Sequence, residues 1–336
     1  MRCEIADARQ PERRLLGDAV IHFDEVSNLR PRCEVVEGRE RREVDLHRGY
    51  FAAMRIGLTG GGNSADRIVE QAQQAEADGF SHLWFPSAVL GDPLAPMALA
   101  GKATTSIELG TSVLVTYACH PILQANRALS TAATMGRPGL TLGVGPSHKP
   151  VIEDYLGLSY DGVGAHTEAY AKTVGAILRD KPVTFMISAL APRLLRVAGE
   201  QADGTILWMA NAKAVASHVT PRITKAAANA GRPAPRIVAG LPVAVCDDEA
   251  QGRAQAAKDF ANYGVLPNYR RILDIGGAAG PADAAIVGDE AAVTAQITAL
   301  FEAGATDVWC APFVVGDDRS ASRRRTRDLL NELARS

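Results

Sequence analysis

From Met54 onward the chain repeats one unit, a short apolar run of strand character followed by a longer stretch of helical period. The runs fall at 54–59, 82–86, 107–115, 140–145, 183–190, 204–209, 237–245 and 307–313, and a last helical stretch covers 318–334. Strands that alternate with helices favour βαβ units and hence a parallel sheet. Eight such pairs predict a (β/α)8 TIM barrel, which takes about 250 residues, ahead of an open doubly wound sheet. Boundary residues support this count. Asn63-Ser64 can cap the first helix and Gly79 end it, and Asp289-Glu290 opens a helix that stops at Gly304.

The 53 residues before this pattern hold 10 Arg, 11 Asp or Glu and no Lys, without a sustained apolar period. The expectation is an N-terminal extension over 1–53, a flexible tail or a start-site artefact with Met54 as the natural start. The rival is a regulatory or partner-binding arm. The domain proper is then 54–336.

The net charge of −2 and the absence of a basic run argue against a nucleic-acid or anionic-membrane surface. No apolar stretch approaches the roughly twenty residues of a membrane helix. The expected partner is a small-molecule substrate, without nucleic acid or membrane, and the expected location is cytoplasmic. Cys3, Cys33, Cys119, Cys246 and Cys310 are scattered and contain no C-x-x-C pair, which suggests reduced thiols. The seven His show no helical metal spacing, so no metal is expected.

A barrel carries its chemistry at the C-terminal ends of its strands. After the first run comes Gly57-Leu58-Thr59-Gly60-Gly61-Gly62, backbone that can approach a flat ligand or simply turn. After the second, Trp84 and Phe85 either wall a planar ring or pack the barrel. After the third, Val115, Thr116, Tyr117, Cys119 and His120 gather where strand becomes helix, and His120 is a candidate proton relay or only a loop tie before Pro121. The densest polar cluster follows the fourth run, Leu142-Gly143-Val144-Gly145-Pro146-Ser147-His148-Lys149. Amides freed by Gly143 and Gly145, with Ser147 and Lys149, suit a phosphate, and His148 suits proton donation. Ser188-Ala189-Leu190-Ala191-Pro192 offers main-chain amides after the fifth run, and Trp208 and Lys213 follow the sixth. Gly143-Val144-Gly145 lacks the third glycine of a dinucleotide fingerprint, and Gly145-Pro146-Ser147-His148-Lys149 lacks the closing glycine of a nucleophile elbow.

Read together, Glu76-Ala77-Asp78-Gly79-Phe80-Ser81-His82-Leu83-Trp84-Phe85-Pro86, Ile107-Glu108-Leu109-Gly110-Thr111, His120-Pro121, Leu142-Gly143-Val144-Gly145, Ala198-Gly199-Glu200-Gln201-Ala202-Asp203-Gly204 and Gly288-Asp289-Glu290 resemble, in order and spacing, the luciferase-like flavin and deazaflavin oxidoreductases. Ser147-His148-Lys149-Pro150 and Leu266-Pro267-Asn268-Tyr269-Arg270-Arg271 are most similar to the branch that uses the deazaflavin F420.

The resemblance implies a (β/α)8 barrel with F420 in its mouth and hydride transfer at ring carbon C5 to an electron-poor substrate. FMN is the alternative cofactor, and a non-catalytic deazaflavin binder is a third reading. It implies His148 as proton donor, with His120 or Tyr117 behind it. It implies a non-prolyl cis peptide after the third strand, with Val115, Thr116 or Tyr117 against the ring. Its phosphate contacts carry over to Ser147, His148 and Lys149, and less closely to Leu190, Ala191 and Lys213; a homodimer is also implied.

Two departures stand out. Ser87-Ala88 replaces the catalytic histidine of the sugar-phosphate dehydrogenase branch, and His148 replaces its acidic residue. About twenty residues that family members carry between the Lys181–Phe185 region and the fifth strand end are missing here.

Overall fold

The computed structural model describes residues 54–62, 64–86 and 91–336. The extension 1–53, Asn63 and the Ser87-Ala88 pair lie outside the described residues. Ten strands follow in chain order: β1 Ile56–Thr59, β2 His82–Phe85, β3 Glu108–Thr111, β4 Leu114–Val115, β5 Leu140–Gly145, β6 Val183–Ile187, β7 Gly204–Trp208, β8 Arg236–Val245, β9 Ile286–Gly288 and β10 Asp307–Pro312. All pair in parallel, in the order β10-β1-β2-β3-β5-β6-β7-β8, and β10 also pairs with β8 from Asp307↔Val238 to Pro312↔Val243. That last ladder closes eight strands into the expected barrel.

Helices wrap the outside because each presents one apolar stripe. In the helix Ala65–Ala77 the buried residues Ile68, Ala72 and Ala75 recur at helical spacing, Ser64 caps the start by accepting from the Arg67 amide, and Gly79 follows with φ 93°. Asp289 likewise caps Glu290–Glu302, and the last helix runs Arg319–Arg335.

Three elements depart from the sequence reading. The run 107–115 is two strands, β3 and β4, separated at Ser112 and Val113, whose peptide bond is cis. The run 183–190 stops at Ile187, and Ser188–Ala191 forms the loop into the next helix. β9 is additional: three buried residues alongside Val243–Val245, too short to show a period.

Inside the barrel Trp84, Met186, Ile206, Val238 and Trp309 pack together. Two glycines make room for the large rings. A Cβ on Gly110 would stand 2.2 Å from the Trp84 ring, and one on Gly240 2.0 Å from that of Trp309. The N-terminal end of the barrel is locked by charge. Asp307, fully buried, accepts from Arg55 at 2.7 Å and Arg236 at 2.7 Å, while Glu108 accepts from Arg55 at 2.9 Å, Arg236 at 2.9 Å and Thr141 at 2.5 Å. His82, also buried, lies 3.7 Å from Asp307. No described helix is long and apolar enough to cross a membrane.

Candidate active site at the barrel mouth

At the C-terminal ends of the strands a cavity of about 280 Å³ opens, lined by Thr59, Pro86, Ser112, Val113, Ser188, Ile206, Leu207, Trp208, Phe260, Tyr263, Tyr269, Trp309 and Ala311. Its floor is the stacked pair Trp208–Trp309, with ring centroids 5.1 Å apart. Its far wall comes from the segment between Glu249–Asp259 and Pro267–Gly276, where Phe260 and Tyr263 meet Trp208 edge-on at 6.3 and 5.6 Å. Such edge-to-face packing fixes rings without filling the space between them.

A smaller cavity of about 90 Å³ continues from it, sharing Val113, Ser188 and Tyr269 and lined further by Gly145, Pro146, Ser147, His148, Leu190, Ala191, Leu194 and Asn268. Ser147 takes φ 60°, and its carbonyl accepts from the Tyr160 hydroxyl at 2.8 Å. His218 Nε2 lies 2.8 Å from the Leu190 carbonyl, which fixes the opposite loop.

The lining is apolar and uncharged. Among the described residues no Lys, Arg, Asp or Glu lines either cavity. Ser112 Oγ is buried with no hydrogen-bond partner. Trp208 Nε1 has no well-aligned partner either, although the Tyr263 hydroxyl lies nearby. Burial pushes the Tyr263 and Tyr269 phenols up and holds His148 below the ordinary histidine value, so at neutral pH the phenols are protonated and the imidazole is neutral. The His148 and Tyr269 rings lie 5.1 Å apart.

The structure gathers Gly145, Ser147, His148, Leu190 and Ala191 around the smaller cavity. Gly143 lies beneath it in the sheet, exchanging hydrogen bonds with the Thr111 hydroxyl at 2.8 and 2.9 Å. The other candidates sit elsewhere. Trp84 packs the barrel interior below the mouth, because Gly110 leaves a space that its ring fills. Lys149 is exposed and pairs with Glu153 at 3.4 Å, one helical turn on. Lys213 lies beside Asn211 and Asp283 against another part of the surface.

His120 is the N-cap of Pro121–Met135, its Nδ1 accepting from the Ile122 amide at 3.3 Å. Val115 lines neither cavity, Thr116 Oγ1 meets His166 Nε2 at 3.1 Å, and Tyr117 stacks on His166 at 3.9 Å. The cis peptide lies at Ser112–Val113, so it is these residues, and not Val115 to Tyr117, that reach the cavity. The loop Gly60–Gly62 is strapped down by Gln71, which bonds both the amide and the carbonyl of Gly61, and Thr59 alone of that turn lines the mouth. Cys119, Cys246 and Cys310 are free thiols.

Sequence reasoning did not single out Ser112, Val113, Phe260, Tyr263 or Trp309 for the site, and it quoted Asn268 and Tyr269 only within a family motif. One signal was present. The chain has only eighteen aromatic residues, and Phe260, Tyr263 and Tyr269 fall within ten positions outside any predicted strand.

The model of the luciferase-like monooxygenase family matches residues 46–307. The chain is 24% identical over 332 residues to the 5,10-methylenetetrahydromethanopterin reductase of Methanopyrus kandleri, covering 79% of this chain and 93% of that one. Among solved structures, an F420-dependent secondary alcohol dehydrogenase holding an F420–acetone adduct superposes with TM-score 0.65 at 16% identity, over 83% of this chain and 98% of that one. The FMN-bound oxygenating component of 3,6-diketocamphane monooxygenase from Pseudomonas putida superposes with TM-score 0.62 at 18% identity, over 84% and 98%. At these identities the superpositions establish the shared fold, and the matched family model establishes membership: the chain belongs to the luciferase-like monooxygenase family.

Proposed function

We propose that the protein is an F420-dependent oxidoreductase that moves a hydride between the deazaflavin and a small organic substrate at the barrel mouth. The observation that carries this reading is the uncharged, aromatic-walled cavity with the buried, unpartnered Ser112 hydroxyl on its edge. Those residues fit a flat ring edged with hydrogen-bond acceptors. A second feature agrees: a Cβ on Gly145 would stand 2.8 Å from Val113 and 3.1 Å from Ser188, in the throat between the two cavities. When bound, F420 supplies a ring carbon that gives or takes a hydride.

The chain's part is positional and protonic. Ser112, Val113, Trp208 and Trp309 would hold the ring, and Ser147 with the amides around Ala191, at the start of Pro192–Gln201, would hold the phosphate. His148 is the proton donor. It lines the smaller cavity, half-buried beside Tyr269, which borders both cavities, and its imidazolium form, disfavoured by burial, gives up a proton readily. A small-molecule partner and a homodimeric assembly belong to the same proposal.

The fold likeness to an FMN-bound monooxygenase favours a second reading, FMN-dependent oxygenation in the same cavity. Anaerobic mixing with reduced F420 and a panel of electron-poor carbonyl compounds separates the two. Recovery of F420 absorbance in that mixture, with no protein-dependent oxygenated product when reduced FMN and air are supplied instead, supports hydride transfer. Oxygenated product formed only when protein, reduced FMN and air are all present, with reduced F420 left unchanged, overturns it in favour of the monooxygenase.

A further inference from the structure

We infer that Cys119 is a peroxide-reactive thiol, oxidised to a sulfenic acid that the side chains around it are arranged to hold. Cys119 lines neither cavity of the barrel mouth and takes no part in the proposed hydride transfer. It stands half-buried just before His120, the N-cap of the helix Pro121–Met135. Arg127 Nη1 donates to Cys119 Sγ at 3.7 Å and to Gln124 Oε1 at 3.2 Å, and the same guanidinium pairs with Asp92. The thiol hydrogen is directed at the His120 carbonyl, 3.6 Å from the sulfur. A cation on a sulfur that solvent can reach is the setting in which cysteines react with oxidants, because positive charge favours both the attacking sulfur anion and the departing hydroxide. The other described cysteines are buried, and burial pushes the Cys246 and Cys310 thiols up, Cys310 to about 12.

A second observation points to an added oxygen at this sulfur. Gln124 and Tyr170 are only 2% and 4% exposed, yet Gln124 Nε2 and the Tyr170 hydroxyl have no hydrogen-bond partner. Gln124 shares the Arg127 Nη1 donor with Cys119 Sγ. The Tyr170 phenol is pushed up by burial and, after it, by the charge of Cys119, which places the two groups within electrostatic reach. Buried polar groups left without a partner are uncommon and call for an explanation. A sulfenic acid oxygen accepts from an amide N–H and can accept from or donate to a hydroxyl, so it answers both.

The oxidant is hydrogen peroxide. Cys119 Sγ attacks one peroxide oxygen, an S–O bond forms as the O–O bond breaks, and sulfur gives two electrons to the peroxide. The departing hydroxide combines with the thiol proton and leaves as water.

In the test, the reduced full-length protein is exposed to hydrogen peroxide with dimedone present to trap sulfenic acid, and each cysteine is followed by peptide mass spectrometry. The folded protein is compared with the same chain unfolded in urea and with the variants Arg127→Gln and Tyr170→Phe. The expected result is labelling of Cys119 about tenfold or more faster than of Cys246 and Cys310, and faster by a similar factor in the folded than in the unfolded chain. Arg127→Gln slows it about tenfold and Tyr170→Phe several-fold. Labelling no faster in the folded than in the unfolded chain overturns the inference, since exposure alone would give that, and so does a rate unchanged in both variants. Tyr170→Phe removes one oxygen and keeps the ring, so it carries the test if Arg127→Gln does not fold.

Discussion

His148 is held neutral by its surroundings: burial beside Tyr269 lowers its affinity for a proton, and no carboxylate lines its cavity to restore it. If it donates the proton in turnover, its protonated fraction sets the rate. Because its pKa in the protein lies below the ordinary 6.5, hydride-transfer rate rises as pH falls through that lowered value and levels off below it. His148→Gln flattens the profile and lowers the rate tenfold or more, with coenzyme affinity nearly unchanged; a pH–rate series on both proteins checks this, and an unaltered profile removes His148 from the mechanism.

Glu76 works at the same scale for the fold. Its carboxylate accepts from the amides of Thr105, Ser106 and Ile107 at 2.9, 2.6 and 3.0 Å, which hold its pKa at about 2. Glu76→Ala frees those amides and costs about 1–3 kcal/mol, read as a shift in the urea midpoint.

Ser147 and His148 were legible in the sequence because glycines and polar side chains cluster at a predictable strand end. Ser112, Tyr263 and Tyr269 were not, since they reach the mouth through a break in one strand and a distant loop. The folded chain alone brings them together.

The eight barrel strands followed from alternation, whereas β4, β9 and the inner and outer faces of each strand did not. Strands of a parallel barrel are covered on both sides and read as continuous apolar runs, so Trp84 and Phe85 offer the same signal although one faces inward and the other the helices. Glycine decides the inner layer. With Gly110 and Gly240 paired against Trp84 and Trp309, each ring lies over a bare stretch of neighbouring backbone. Gly240→Ala forces the Trp309 ring aside, costing about 1–3 kcal/mol by overpacking, and it also tilts the floor of the mouth. The expected outcome is a lower melting temperature together with weaker coenzyme binding, measured by scanning fluorimetry and calorimetry on the same sample. The break between β3 and β4 escaped the periodicity because Val113, Leu114 and Val115 resume the apolar run directly after Ser112.

Across the whole molecule the two ends of the barrel have opposite character. The N-terminal end is closed by Arg55, Arg236, Glu108, Asp307 and His82, and the C-terminal end opens into cavities whose lining, among the described residues, carries no Lys, Arg, Asp or Glu. The closed end makes stability depend on acid. Burial lowers the His82 pKa from 6.5 to about 4, so the unfolded chain binds the extra proton first, and stability falls as pH drops from 6.5 towards 4, by about 3 kcal/mol.

Asp307 and Glu108 are held below the usual carboxylate range by Arg236, against the opposing effect of burial. Their contribution is complete above their unfolded values and is lost as pH falls further, through their folded ones. Urea titrations from pH 7 to 3 should show the first phase and the onset of the second, and His82→Asn should remove the first. Arg236→Met leaves both carboxylates short of their partner and costs about 3–5 kcal/mol at neutral pH. This lock was visible in the sequence only as isolated charges at strand starts; their convergence follows from closure of the sheet.

The chain's three tryptophans are Trp84, Trp208 and Trp309, and all lie in the barrel interior or on the floor of the mouth. Indole emission therefore reports directly on the proposed coenzyme site. The most direct measurement is a side-by-side titration of F420 and FMN into the full chain and into a chain beginning at Met54, with tryptophan emission followed and bound coenzyme counted by dialysis. Saturable quenching by F420 at one equivalent in both chains, with FMN far weaker, is the predicted result. Binding of F420 that leaves the emission unchanged, or no binding of either coenzyme, contradicts a deazaflavin site at the barrel mouth.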